Sequence, residues 1–520
     1  MQNSSVIGRK LGSKIKLVDE LCAIIGPRPR KKSVIMCHGT FDIVHPGHIR
    51  HLMYARDKGD ILVVSITSDQ HISKANFRPY VPETLRAFNL ASLEMVDYVI
   101  IDTEPKPLHN LKQIQPDFYA KGFEYVNGSI DPRTQEELDV LESFGGRPIF
   151  TPGDIIYSSS AIIDRAPPNI GIEKLLVLME AEDIDFAKLR TAVNALGRMH
   201  VHVIGDTIVD LYTYTELIGS NAKTPTFSVR YDHEERYVGG AGIVAKHLRA
   251  AGADVTFTTL LGGDELGVFA LDDLTNAGVK VNAVVDTTRP TTCKNAFISG
   301  GYRLLKVDKV DNRSIVGKTM TQVTDYTRDT PCGALIFSDF RHGIFNHQTI
   351  PELTAAIPPG TFRVADSQVA SRWGNILEFK DFDLITPNEK EARFSLGDQD
   401  SVIRPLALKL YQQARCKNLI LKLGARGMIT YRAVESPEKN VRAFFAVDSL
   451  TNRAVDPVGA GDALVAYATL ALASGNGPVV GSILGAMAAA LECEIDGNRP
   501  VPTQSILDRL DEFEKRVNFQ

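Results

Sequence analysis

An apolar run, SVIMCHG (33–39), breaks at a glycine and gives way after Thr40 and the next few residues to HPGHIRHLMYARDKG, which ends at Gly59 and leads straight into a second apolar run, DILVVSITSD (60–69). Two strand-length apolar runs joined by one helix-length segment predict a strand–turn–helix–strand unit, and strands joined by such a crossover lie parallel in one sheet. The turn is unusual in content. It carries His38, His45, His48 and His51, four of the chain's 12 histidines. His45 and His48 are three apart at a helix start and share a face. Zinc ligation would need a further ligand, and Asp42 is the only acidic residue between Cys37 and Leu52. Anion handling fits better. A helix N-terminus offers free N–H groups and partial positive charge, Gly47 permits close approach to the backbone, and imidazoles can neutralise a reacting phosphate.

GTFDIVHPGH (39–48) resembles the signature of the cytidylyltransferase-like nucleotidyltransferases, in which GxFD ends the first strand and HxGH opens the first helix. The resemblance implies nucleotidyl transfer from a nucleoside triphosphate to a phosphate monoester, with pyrophosphate released. It makes His45 and His48 catalytic and Gly39, Thr40, Phe41, Asp42 and Gly47 nucleotide- or phosphate-binding. YSSSAII (157–163) resembles the same family's second triphosphate motif, so Ser158, Ser159 and Ser160 would hold phosphates. An arginine that some members carry beside that cluster is absent from 157–163, and Lys74, Arg86 and Lys121 are candidate replacements. Lys121 is favoured because Gly122 follows it in FYAKGFEY (118–125), which resembles the family's basic-Gly segment. Further strands are expected at 97–101 and 147–152, with a closing helix after the serines.

RAPPNIG (165–171) reads as a linker start, and 172–196 as one or two helices. A second α/β unit opens at 200–210, with strands expected near 255–261, 334–338, 362–366, 382–386 and 418–423. In DPVGAGDA (456–463), Gly459, Ala460 and Gly461 would expose successive N–H groups, and Asp462 would stand beside them to take a proton from an attacking hydroxyl. Such a turn is also an ordinary helix cap. Upstream, Asn388 and Glu391 in TPNEKEA (386–392) are placed to hold magnesium through water or to orient phosphates. KLGARGM (422–428) is a Gly-flanked turn suited to an adenine nucleotide, through Lys422, Gly424 and Gly427. GDTIVD (205–210) and YVGGAG (237–242) lie earlier. All five stand in the order of the ribokinase-like carbohydrate kinases. That resemblance implies sugar binding by Asp210, Gly239 and Gly240, Asp462 as base, and a lid from the strands between 211 and 237. No Walker-type GxxxxGK[ST] occurs.

The expected fold class is thus α/β in two domains: a Rossmann-like nucleotidyltransferase fold, then a ribokinase-like α/β sandwich with a small β lid. The expected boundaries are 1–32 for an N-terminal helix and connector, 33–165, a helical linker at 166–198, and 199–520. At 520 residues the chain is long enough for two or three domains. The pairing resembles the bifunctional heptose 7-phosphate kinase/heptose 1-phosphate adenylyltransferases in reversed domain order, and LLKVDKVD (304–311), FSDFRHGI (337–344) and LITPNE (384–389) strengthen the kinase half. Asp308 joins the sugar-binding set on that basis. The implied chemistry is phosphorylation of a heptose 7-phosphate-like sugar followed by formation of an ADP-heptose-like nucleotide sugar, with Mg2+, and with ATP, or CTP in the transferase. The alternatives are a cytidylyltransferase for another polyol phosphate fused to its feeding kinase, and a catalytically silent sugar-phosphate sensor. Two departures bear on the sugar. Ile243 stands where the kinases carry a sugar-binding asparagine, and VADSQVAS (364–371) stands where they read Asp-Pro-Lys, keeping Asp366 but offering Gln368 for the lysine. The expected preference is therefore for a sugar or sugar phosphate that differs from heptose 7-phosphate at the position read by Ile243, the alternative being a neighbouring polar residue that supplies the contact and leaves the substrate unchanged.

Net charge of −5 excludes the basic footprint of a nucleic-acid binder. The apolar stretch 463–473 is too short for a membrane span, and the N-terminus is too polar for a signal peptide. Six scattered cysteines without a CxxC pair read as reduced thiols, so a cytoplasmic protein is expected, with small-molecule partners and a homodimer formed through the lid.

Overall fold

The computed structural model describes residues 12–72, 79–122, 132–151, 171–220, 227–368, 374–433, 443–451 and 453–518. Two compact units divide at Ile170/Gly171. The first contains β1 (Val34–Gly39), β2 (Ile61–Thr67), β3 (Tyr98–Asp102), β4 (Phe118–Gly122) and β5 (Arg147–Thr151) in a parallel sheet of order β3-β2-β1-β4-β5. The alternation of β1 splits the core across the sheet: Ile35 and Cys37 join one buried cluster, Val34 and Met36 the other. Burial on both faces is why β1 reads as a continuous apolar run. The strand order reverses between β1 and β4, the crevice where open α/β sheets bind ligands. The sequence reading missed β4 as a strand, yet it sets this crevice.

The second unit carries β6 (His200–Gly205), β7 (Thr207–Ser220), β8 (Phe227–Gly240), β9 (Asp254–Leu261), β10 (Lys280–Val285), β11 (Cys293–Ser299), β12 (Tyr302–Lys309), β13 (Ala334–Asp339), β14 (Phe362–Ser367), β15 (Leu384–Ile385), β16 (Asn418–Lys422), β17 (Met428–Arg432) and β18 (Phe444–Val447). Nine form a sheet of order β10-β9-β6-β13-β14-β15-β16-β17-β18, parallel up to β16 and antiparallel beyond. The helices Ala460–Ala473 and Pro478–Cys493 are apolar nearly all round because both are buried. Four strands form a separate sheet, β12-β11-β7-β8. The lid expected between 211 and 237 supplies only β7 and β8. The other half, β11 and β12, comes from further along the chain.

The helical linker expected at 166–198 is corrected in part. Its helices, Gly171–Ala181 and Phe186–Ala195, are built into the second unit. Leu175, Met179, Leu189 and Val193 are buried in that unit's main core, and Glu182 pairs with Arg432. No helix among the described residues is long and apolar enough to cross a membrane.

Candidate active sites

In the first unit the turn after β1 leads into the helix Pro46–Arg56. Proline takes the first helical position, where its missing N–H costs nothing. His45 is the N-cap, and its Nδ1 accepts the N–H of Gly47 at 3.1 Å. His48 stacks on His45 with ring centroids 3.8 Å apart and tilts against Phe41 at 5.0 Å. The Nδ1 of His48 is buried without a hydrogen-bond partner. Burial, then the neighbouring His45 and His51, pushes the His48 ring down to about 4. At neutral pH the free protein therefore presents His48 as a neutral ring with hydrogen-bonding capacity to spare, rather than as a fixed cation. His38 is a different case. Its ring nitrogens meet Ser65 Oγ at 3.0 Å and Thr67 Oγ1 at 3.3 Å, and burial holds it down at about 3.

The charged residues expected to hold phosphate are occupied within the fold. Asp42 is buried and accepts the backbone N–H groups of Val81 at 2.7 Å and Tyr80 at 2.9 Å, anchoring that loop. Arg86 is corrected. Its guanidinium is fully buried, donating to the carbonyls of Thr40 (2.5 Å), Val81 (2.9 Å) and Thr67 (2.8 Å) and to Asp69 Oδ1 (2.6 Å). With its donors spent there, Arg86 shapes the turn and offers no surface to an anion. Lys121 stands at the end of β4, beside the crevice, with its ammonium 2.5 Å from the buried Glu137. Gly39 and Thr40 close β1, and the Gly47 N–H is taken by the His45 cap. Lys74, Ser158, Ser159, Ser160 and the helix expected after them lie outside the described residues.

In the second unit the helix Ala460–Ala473 begins at the expected Gly-rich turn. Gly459 adopts φ +90°, and a Cβ there would lie 2.6 Å from Asn498 Oδ1, so both conformation and space require glycine. Ala460 and Gly461 open the first turn, whose N–H groups lack intrahelical partners. Asp462 is buried there, and its Oδ1 has no hydrogen-bond partner. Burial, and then the Asp366 carboxylate, pushes Asp462 up to about 8, with Lys422 and Lys294 pulling the other way. A carboxyl that titrates near neutrality suits a general base. The ammonium facing Asp366 comes from Lys422, 2.8 Å away on β16, and not from the segment after Asp366. Burial works to lower Lys422, but Asp366, Glu391 and Asp462 outweigh it and raise it.

Asn388 and Glu391 form a capping box at the helix Glu389–Leu396. Each accepts the other's backbone N–H, at 2.9 and 2.7 Å, and Asn388 Nδ2 donates to Glu391 Oε1 at 2.6 Å. Direct ligation of a metal is not their geometry. Gly424 and Gly427 bound the tight turn between β16 and β17. Among the described residues, no cluster of three or more His, Cys, Asp or Glu side chains is arranged to hold a metal.

Asp210 on β7 is pushed up to about 6 by burial, against the pull of Lys294 and Lys306. A Cβ on Gly239 would fall 2.2 Å from its Oδ2, so the glycine makes room for the carboxylate. Gly240 begins the helix Ala241–Ala250, in which Ile243 is fully buried. Asp308 lies opposite Lys294 on the exposed strand β12. A cavity of about 240 Å³ is lined by Asp210, Tyr212, Lys294, Arg303, Lys306 and Val458, among others.

Three of the groups at this site escaped the sequence reading. Asn498 Nδ2 donates to Asp210 at 2.9 Å across 288 positions of sequence, a pairing no local signal announces. Lys294 is lowered by burial and by Lys306 while standing within reach of Asp210, Asp308 and Asp462. Glu492 is fully buried behind the Gly-rich turn, and burial pushes it up to about 8.

Residues 36–165 match the cytidylyltransferase-like family, and residues 198–503 match the pfkB family of carbohydrate kinases. A "Bifunctional protein HldE" from Desulfatibacillum aliphaticivorans is 28% identical over 291 residues, covering 54% of this chain and 57% of that protein. Another from Syntrophotalea carbinolica is 38% identical over 138 residues, covering 26% of this chain and 27% of that one. The matches thus span about half, or about a quarter, of those relatives' lengths. Phosphofructokinase-2 from Escherichia coli, in complex with substrates and products, aligns over 61% of this chain and 99% of its own at 18% identity, with a TM-score of 0.51, a likeness of fold. More than half of the sequence falls within the second match, and the chain belongs to the pfkB family of carbohydrate kinases, with a cytidylyltransferase-like domain ahead of the kinase.

Proposed function

We propose that the chain is a bifunctional enzyme of nucleotide-sugar synthesis. The second unit transfers the γ-phosphate of ATP to a sugar or sugar phosphate. The first transfers a nucleotidyl group from ATP or CTP to a sugar 1-phosphate and releases pyrophosphate. The observation that carries the kinase half is the buried, unpartnered Oδ1 of Asp462 at a helix N-terminus, beside Lys422 and near Asp210. Asp462 takes the proton of the attacking hydroxyl, the N–H groups of Gly459, Ala460 and Gly461 receive the transferred phosphoryl group, and Asp210 with Asn498 orients the sugar. In the first unit His45 and His48 stabilise the charge that develops on the reacting and leaving phosphates, with Lys121 at the rim.

The substrate reading is a heptose 7-phosphate-like acceptor and an ADP-heptose-like product. The HldE relatives support it, and here the transferase precedes the kinase. The polar group beside Asp210 and Gly239 is the amide of Asn498, which compensates for Ile243 and favours an unchanged sugar class. Magnesium, when bound with the triphosphate, would neutralise its charge in both halves, and Asn388 and Glu391, committed to each other, would hold it through water. The six free thiols fit the cytoplasm, and the exposed apolar residues of the lid, such as Tyr302, Leu305 and Phe227, fit a homodimer.

The test is turnover by the purified chain. With ATP and Mg2+, C5–C7 sugars and their terminal phosphates are assayed for ADP release, and sugar 1-phosphates with ATP or CTP for pyrophosphate. A panel led by heptose 7-phosphate is expected. A chain that releases neither product from any of them is a sensor and not an enzyme.

A further inference from the structure

Resting on the kinase reading, we propose that Arg303 is a positioning residue that latches the β11–β12 hairpin of the lid onto the turn leading to Gly459, sealing the sugar cavity against water. Arg303 is the second residue of β12, an edge strand of the lid, just after the Gly300–Gly301 corner. Every residue of β12 is exposed, so the strand's pairing to β11 alone does not fix where its outer end rests. An ion pair reaches from it to the body of the unit: Arg303 Nη2 is 3.0 Å from Asp456 Oδ2.

The carboxylate it meets is not a surface group. The Asp456 side chain is 6% exposed, against 50% for Arg303. Asp456 Oδ2 also lies 3.4 Å from the Tyr212 hydroxyl, and Oδ1 accepts the N–H of Val458 at 3.2 Å. Val458 immediately precedes Gly459. The guanidinium lies 5.5 Å from the centre of the Tyr212 ring, whose strand also carries Asp210. Arg303, Tyr212 and Val458 all line the cavity that contains Asp210. One carboxylate therefore ties three things together: the lid's edge strand, the strand bearing the sugar-binding aspartate, and the turn that opens the anion hole.

Two consequences follow from that position. A latched lid excludes water, which would otherwise compete with the sugar hydroxyl for the γ-phosphate. Hydrolysis of ATP by water yields ADP and inorganic phosphate with no phosphosugar. A latch must also open for the sugar to enter, so breaking it affects sugar affinity before it affects nucleotide affinity.

Arg303→Gln removes the charge and keeps the length, and Arg303→Lys restores a cation. For Arg303→Gln the sugar KM should rise about five- to tenfold, the scale of one charge-assisted contact, with the ATP KM held within about twofold. ADP should exceed phosphosugar in the variant and equal it in the wild type. Arg303→Lys should recover most of the coupling, and Asp456→Asn should reproduce the defect, with the double variant no worse than either single one. Hydrogen exchange of Cys293–Lys309, read without turnover, should be faster in Arg303→Gln than in the wild type. A one-to-one ratio of ADP to phosphosugar with an unchanged sugar KM in the folded variant, or identical exchange of the hairpin, overturns the latch. A wild type that phosphorylates no sugar overturns the kinase reading instead, and the exchange measurement still decides whether Arg303 holds the hairpin.

Discussion

On the proposed reading, the two units hold a reacting phosphate with opposite materials. In the first, the reactive groups are neighbours in sequence. His45 and His48 stack within one helical turn, their rings short of partners or serving as caps, while nearby charges are spent inside the fold: Arg86 on three carbonyls and Asp69, Asp42 on two N–H groups. In the second, the groups come from distant segments, and several are carboxyls held far above their ordinary range: Asp210 at about 6, Asp462 and Glu492 at about 8. A compact turn builds its site from neutral donors and helix geometry. A cleft between a sheet and its lid builds one from buried titratable groups, at a cost in stability that the rest of the unit offsets.

The largest effect expected of that contrast is at Asp462. Asp462→Asn keeps a helix-starting side chain but cannot accept a proton, so sugar phosphorylation should fall by about 100- to 10,000-fold while nucleotidyl transfer is unchanged. A loss of only a few-fold would make Asp462 a cap and move the base elsewhere. The pH dependence has a defined sign. Kinase turnover should rise with pH until Asp462 is ionised, near 8. Stability runs the other way. A carboxyl whose folded value is raised contributes stability at acid pH that is lost as pH climbs through that value. The melting temperature of the second unit should therefore fall between about pH 4 and 8, and Asp462→Asn should flatten part of that fall. A melting temperature that rises across this window would mean that these carboxylates are ionised and paired in the folded protein.

Next comes Arg86, where the sharpest difference between sequence and structure lies. Arg86→Met leaves three carbonyls and Asp69 without their buried partner, and should destabilise the first unit by about 3–5 kcal/mol. The check is thermal melting of the full chain followed by a probe in the first unit. A variant that melts like the wild type but loses nucleotidyl transfer would return Arg86 to the phosphate.

The first site could be read from the sequence because its residues are contiguous. The glycine break after β1, the helix start and the histidine spacing all fall within one stretch, and the structure puts His45 and His48 ring on ring. What that stretch could not reveal was where each nearby charge would be spent. Arg86 meets Thr40 and Thr67 only once the sheet forms. In the second unit the motifs were visible one by one, including the turn at Gly459 and the helix after it. Their partners were not: Asn498 reaches Asp210 across 288 positions. The lid was half visible, because β7 and β8 adjoin the recognised motifs while β12, exposed throughout, carries no burial pattern to read. The helices after Gly171 look like a linker in sequence because the core that buries Leu175 and Leu189 is made elsewhere in the chain.

His48→Ala should lower nucleotidyl transfer about 100- to 1,000-fold and leave sugar phosphorylation intact, since it removes a donor that acts where charge develops. Its ring is neutral at pH 7 in the free protein, so the rate should show no loss on raising pH from about 6 to 8 that could be attributed to His48 deprotonation. A steep loss over that range would mean that bound triphosphate keeps the ring protonated, and the first site would then work by charge as the second does.

The smallest effect expected is at Asn498, and it bears on the sugar itself. Its Nδ2 donates to Asp210, while its Oδ1 is buried without a partner. Asn498→Ala frees Asp210 to rotate and removes the unpartnered Oδ1 acceptor beside it. The loss is about 1–2 kcal/mol, a rise of roughly 5- to 30-fold in the sugar KM with a smaller change in kcat. Asn498→Asp should be worse than alanine, because a second carboxylate beside Asp210 raises both and repels. Ile243 supplies the control. If Asn498 has taken over the polar contact that Ile243 cannot make, Ile243→Asn gains nothing in the wild-type background and recovers part of the loss in Asn498→Ala. If Ile243→Asn alone improves kcat/KM for heptose 7-phosphate about tenfold or more, the contact is missing rather than relocated, and the natural substrate is a sugar without that hydroxyl.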